Sequence, residues 1–152
     1  MILEEIQADI LKVSDRLINE GKKVVIVHGC NCFHTMGAGI ALYLRRKHPN
    51  ILIADKSTKY GNKSKLGNFS YSTINDNLVI ANCYTQFNYG RDKINVDQSA
   101  IFNSIKNVCN YFPDRHIVMP RIGCGLAGGD WKEIKHIVNS ALNDMVATVC
   151  YM

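Results

Sequence analysis

The sequence predicts an α/β protein, and three observations predict it. Apolar, β-branched segments recur at KKVVIVHG, NFSYSTI, NLVIANCY, RHIVMP and VATVCY; patterns of helical period lie between them; and Gly, Asn and Pro mark the changes from one to the other. A chain of 152 residues, 47% of them hydrophobic, can bury one good core, so residues 1–152 are expected to form a single domain.

Taken in order, the N-terminal segment reads two ways. Leu3, Ile6, Ile10, Val13 and Leu17 suit one face of a helix, whereas Ile2, Ile6, Ala8 and Ile10 suit a strand, and periodicity alone leans to the helix. After the strand VVIVHG the chain passes Gly37 and Gly39 and reads IALYLRRKH. This helix ends at Pro49, which lacks an N–H and disfavours helical geometry at His48. Lys56 to Asn68 reads as a long polar connection on the surface. Asp97 is placed to cap QSAIFNSIKNVCNYF, whose Ile101, Ile105, Val108 and Phe112 fall three or four apart before Pro113 stops the helix. Asp130 is placed to cap WKEIKHIVNSALNDM, with Ile134, Ile137, Val138 and Leu142 as its buried stripe.

No apolar stretch approaches the roughly 20 residues of a membrane helix, and the N-terminus MILEEIQADI carries acids where a secretory signal carries bases. A cytoplasmic protein without a membrane partner is expected. The six cysteines are scattered rather than clustered, which points to reduced thiols. The net charge of +5 is modest and its densest runs have little aromatic interleaving. It reads as a solvated face that favours an anionic ligand weakly and points away from nucleic acid as a partner.

The densest chemistry lies in VHGCNCFHTMGAGIA, Val27 to Ala41. His28, Cys30, Cys32 and His34 alternate, but neighbours of that kind on a strand lie roughly 6 to 7 Å apart and cannot converge on one zinc ion. A redox Cys-x-x-Cys spacing is missing as well. No metal and no cofactor is therefore expected. What remains is Met36-Gly37-Ala38-Gly39 at a strand-to-helix junction, a turn that exposes backbone N–H groups at the positive end of a helix and suits phosphate. A second such turn, PRIGCGLAGGDW from Pro120 to Trp131, opens the last helix. Its Gly-x-Gly-x-x-Gly match lacks the acidic strand end of a nicotinamide site, and no arginine follows Cys124 as a cysteine phosphatase requires. Cys124 reads as packing.

With QADIL at the N-terminus and both glycine turns in order, nearly the whole chain resembles the macrodomain family of ADP-ribose-binding modules. The resemblance implies a three-layer fold with a mixed, mostly parallel central sheet and helices on both faces. It also implies that Ile2 to Leu11 is a strand, leaving Ser14 to Glu20 as at most a helical turn before Gly21. HGCNC with MGAGIA, NCYTQ at Asn82 to Gln86, and RIGCGLAGGDW are most similar to the branch containing ADP-ribose 1''-phosphate phosphatases. A branch that removes ADP-ribose from glutamate or thymidine has a lysine near NCYTQ and an aspartate after Gly-Cys-Gly-Leu; here Cys83, Tyr84 and Ala127 stand in those regions.

The resemblance implies that Asp9 accepts the adenine amine, with Ile10 beside it, and that Asn31 reads the distal ribose hydroxyls. It further implies that Gly37, Ala38, Gly39 and Ile40, with Ile122, Gly123, Cys124, Gly125, Leu126 and Ala127, clasp the diphosphate. Tyr151 stands in for an aromatic that relatives carry at Cys150. His28 and Asp130 are the acid-base candidates that the two loops could bring together, with Asn31 beside them and His34 as a fallback. The expected activity is hydrolysis of ADP-ribose 1''-phosphate to ADP-ribose and phosphate. The alternatives are a reader of an ADP-ribosylated macromolecule that catalyses nothing, and a hydrolase that removes ADP-ribose from protein or nucleic acid.

Overall fold

The structure, a computed structural model, describes residues 1–90, 94–125 and 127–152. Its elements follow in the order β1 (Ile2–Gln7), α1 (Ile10–Asn19), β2 (Val24–Cys30), α2 (Gly39–Lys47), α3 (Asn50–Lys56), β3 (Phe69–Asn75), β4 (Leu78–Tyr84), α4 (Gln98–Tyr111), β5 (His116–Pro120), α5 (Trp131–Leu142) and β6 (Ala147–Tyr151). The strands form one sheet in the order β1-β6-β5-β2-β4-β3. Every pairing is parallel except the hairpin β3–β4.

Parallel strands need covering on both faces, and the sequence supplies this with near-continuous apolar runs. In β2 the alternation divides the core in two. Val25 and Val27 pack with Ile101, Ile105 and Val108 of α4 and Ile134 and Val138 of α5. Val24 and Ile26 pack with Val13 and Leu17 of α1, Leu44 of α2 and Ile51 of α3 on the other face. The edge strand β3 instead alternates half-buried and exposed positions from Tyr71 to Asn75, as a strand with one wet face does.

The two readings of the N-terminus each hold for one half. The strand stops at Gln7, short of Leu11, and the helix expected only as a turn from Ser14 begins at Ile10. Asp9 decides the boundary: its carboxylate accepts the N–H groups of Leu11 (2.8 Å) and Lys12 (3.3 Å), leaving the helix-period residues Ile10, Val13 and Leu17 buried on one face. Asp97 and Asp130 cap α4 and α5 as their positions predict, accepting from Ala100 and Lys132. The connection Lys56 to Asn68 is less superficial than expected. It carries a 3-10 turn at Lys63–Lys65, and Lys65 is buried, its ammonium 4.5 Å from the centre of the Tyr84 ring.

The short helix α3 went unanticipated. Ile51 is the buried apolar anchor, and polar bonds from the sheet hold the rest: Asn82 donates to the Ile51 carbonyl (2.9 Å) and the Tyr84 hydroxyl donates to the Asp55 carboxylate (2.7 Å). The carboxyl ends of β2, β5 and β6 stay uncovered, and the functional groups gather there.

Candidate functional site

A cavity of about 850 Å³ opens at that end of the sheet. One end is made by the β1–α1 junction and the end of β6, with Ala8, Asp9, Ile10, Cys150, Tyr151 and Met152; the Ala8 N–H donates to the Tyr151 carbonyl at 3.0 Å and ties the two together. Gly29, Cys30, Asn31 and Thr35 bring in the end of β2 and the loop after it, and Gln86, Tyr89 and Gly90 follow from the end of β4. Gly37, Ala38, Gly39 and Ile40 line it from the start of α2, and Ile122, Gly123, Cys124, Gly125 and Ala127 from the second glycine turn.

The glycine turns have the conformations their residues permit. Gly39 opens α2 with φ of +57°, and the first N–H groups of this helix have no acceptor within it. Gly123 adopts φ of +77° where a Cβ would sit 2.7 Å from Cγ2 of Val96, so neither the backbone nor the space admits a side chain. The second turn is pinned by the Gly129 N–H on the Gly123 carbonyl (2.8 Å), and its Ala127 carbonyl accepts from Asn95 (2.9 Å). Leu126 lies outside the described residues.

At the first end, Asp9 is doubly employed. Its Oδ1 caps α1 and its Oδ2 accepts from the Tyr43 hydroxyl. Burial alone would raise its pKa, but the donors from Tyr43, Leu11 and Lys12 outweigh burial and hold the carboxylate below its ordinary value. The same bond pushes the Tyr43 phenol up to about 12. At the far end Asn31 is buried; its amide donates to Thr35 and its carbonyl oxygen accepts the Phe33 N–H (2.8 Å). Asn31 thus caps its own turn while lining the cavity.

The structure does not bring His28 and Asp130 into the cavity. His28 stands in register with Asn82 on the neighbouring strand, is fully buried, and its Nε2 lies 2.7 Å from the Asn82 Oδ1. Burial drives its pKa down to about 4 against the opposing pull of that bond. Asp130 is exposed and spends its carboxylate on the α5 cap. The fallback His34 turns away to the Thr58 carbonyl (2.9 Å). Cys124 lines the cavity as a thiol, its pKa raised to about 11 by burial. No group of three or more His, Cys, Asp or Glu is placed to hold a metal ion among the described residues.

Sequence reasoning missed Thr35, Tyr43, Gln86, Tyr89, Arg121 and Met152 as lining residues. Tyr43 follows Gly39 by four positions on α2, one helical turn on, so the helix assignment contained that signal. Arg121 stood inside the second turn without a role.

Among solved structures, a macrodomain protein from Streptomyces coelicolor superposes with a TM-score of 0.77 at 20% identity, covering 100% of this chain and 99% of its own. The macrodomain of Mycobacterium tuberculosis DarG gives 0.75 at 20% identity, covering 100% and 98%. By fold, the chain is a macrodomain. This macrodomain is also similar to Thermosipho africanus DarTG, solved in complex with ADP-ribose, with a TM-score of 0.73 and 12% identity over 97% of this chain and 41% of that one. No family model matches it. It is 39% identical over 149 residues to an uncharacterized 17.5 kDa protein of Enterobacteria phage T4, covering 92% of this chain and 90% of the relative, and it belongs to the same family as that protein. Two more distant relatives are ADP-ribose 1''-phosphate phosphatases: that of Candida albicans at 29% identity (76% of this chain, 80% of the relative) and that of Saccharomyces cerevisiae at 23% (82% and 88%).

Proposed function

We propose that the cavity binds ADP-ribose and that the protein hydrolyses ADP-ribose 1''-phosphate to ADP-ribose and phosphate. The observation that carries the binding reading is the order of groups along the cavity. Along the carboxyl ends of the sheet, Asp9 follows β1 as an acceptor for the adenine amine, the second glycine turn follows β5 and, with the first at the start of α2, offers a cradle for the diphosphate, and Asn31 follows β2, three strands from β1, for the distal ribose. The ADP-ribose in the complex of the similar DarTG and the activity of the two fungal relatives support the assignment.

In this reading ADP-ribose or its 1''-phosphate is the free ligand, and no cofactor takes part. With His28 and Asp130 outside the cavity, hydrolysis rests on holding the scissile bond against water and on donors aimed at the anion rather than on a side-chain proton transfer. The same observation favours a second reading, recognition of ADP-ribose on a macromolecule without turnover. A phosphate-release assay on ADP-ribose 1''-phosphate, run beside ADP-ribosylated protein, decides between them. Phosphate release supports the first, and saturable ADP-ribose binding without release of phosphate or of ADP-ribose supports the second. Titration calorimetry that finds no preference for ADP-ribose over AMP removes both.

A further inference from the structure

Arg121 is the one cationic side chain among the described residues that line the cavity. Its guanidinium lies over the Tyr151 ring, 4.0 Å from the centroid, and its Nε is 3.9 Å from Oε1 of Glu5. Neither contact satisfies its donors: among the described residues the guanidinium makes an ion pair at long range and donates no hydrogen bond. Glu5 is shared, since its Oε1 also accepts from the Trp131 indole (2.8 Å) and its Oε2 from the Lys135 ammonium. Two cations therefore share one carboxylate, and the cluster keeps an uncompensated positive charge at the cavity wall.

The position of this charge is fixed. The Tyr151 carbonyl accepts from Ala8, the neighbour of Asp9, so Arg121 belongs to the end of the cavity assigned to adenosine rather than to the Asn31 end. A planar guanidinium held on an aromatic face with unused donors suits a phosphate, which it can meet with two parallel N–H bonds. We propose that Arg121 forms a subsite for a phosphate monoester carried on the adenosine ribose, so that the protein prefers 2'-phosphorylated ADP-ribose over ADP-ribose itself. This rests on the ADP-ribose reading of the cavity. The added group carries close to two negative charges and three acceptor oxygens at neutral pH.

The test is the ratio of dissociation constants for ADP-ribose and ADP-ribose 2'-phosphate, measured by titration calorimetry on the full chain. The wild type is expected to favour the 2'-phosphate about five- to tenfold, the scale of a charge-assisted bond at a partly exposed site. Arg121→Gln should bring the ratio to about one. Glu5→Gln, which removes the carboxylate charge competing for Arg121 and keeps one acceptor oxygen, enough for Trp131 or Lys135 but not for both, should raise it. A wild type without preference, or an Arg121→Gln variant that keeps it, overturns the subsite while leaving ADP-ribose binding in place. If neither ligand binds the wild type, the subsite and the ADP-ribose reading fall together.

Discussion

His28 shows how one residue type in one segment supports opposite readings. In the sequence it stands beside Cys30, Asn31 and a glycine turn and is an acid-base candidate; in the fold it faces Asn82 inside the sheet and is uncharged. Its pKa of about 4 lies below the ordinary 6.5, so between these values the unfolded chain binds a proton that the folded chain refuses. Stability is then fully present above about pH 6.5 and is lost as pH falls to about 4, by roughly 1.4 kcal/mol per unit. His116, whose pKa is also lowered, chiefly by burial, adds to the loss in the same direction. Denaturant titrations from pH 7.5 to 4 should show this decline, and it should shrink in His28→Asn; an unchanged pH dependence in that variant would place the titrating group elsewhere. Asp9 gives the complementary case, a ligand candidate that is also a helix cap. Asp9→Asn retains a capping side chain and removes the charge, so it should weaken ADP-ribose binding by about 1 to 3 kcal/mol while stability moves by only a few tenths. Asp9→Ala should lose the affinity and, in addition, about 1 kcal/mol of stability. Calorimetry and denaturation on the two variants separate these contributions.

At the scale of elements, what was legible depended on whether a segment announces itself locally. The central strands were readable because burial on both faces makes them apolar runs, and α4 and α5 because a capping aspartate precedes each amphipathic stripe. Asp130→Ala should therefore cost about 1 kcal/mol of stability, the loss of an N-cap, with ADP-ribose affinity changed by no more than a few fold. A selective loss of turnover in that variant would restore Asp130 to the chemistry. The β1–α1 boundary was blurred because Ile6 and Ile10 satisfy both periods, and the Asp9 cap that settles it was assigned to a ligand. Helix α3 left no local signal. Its one deeply buried apolar residue is Ile51, and it is held by Asn82 and Tyr84 of NCYTQ, a segment the sequence reading used only for its similarity to one branch of the family and whose bonds run to α3. The glycine turns were legible because their clustered glycines stand out in the sequence, and the fold requires glycine at Gly39, Gly123 and Gly128, where φ is positive. Tyr89 and Arg121 were not, since their lining role depends on which distant loops meet, whereas Tyr43 was signalled by its place one turn after Gly39.

For the whole molecule the net charge of +5 is unevenly distributed along the chain. Between Cys30 and Asn75 stand Arg45, Arg46, Lys47, Lys56, Lys59, Lys63 and Lys65 against a single acid, Asp55, which is buried. This stretch contains α2, whose first turn lines the cavity, and its lysines continue through the connection to β3. Exposed bases in this stretch can draw an anion toward the cavity without holding it there, because exposed charges act at a distance and are screened over about 8 to 10 Å at physiological salt. Affinity then comes from the cavity groups and arrival rate from the surrounding field. Stopped-flow measurements with a fluorescent ADP-ribose derivative should show the association rate falling several-fold between about 20 and 300 mM salt, with the dissociation rate changing little. Arg45→Gln with Arg46→Gln should flatten that dependence, because these side chains lie in the last turn of α2 and are not themselves among the residues that line the cavity. An association rate indifferent to salt would leave the basic stretch without a part in ligand capture and put all recognition inside the cavity.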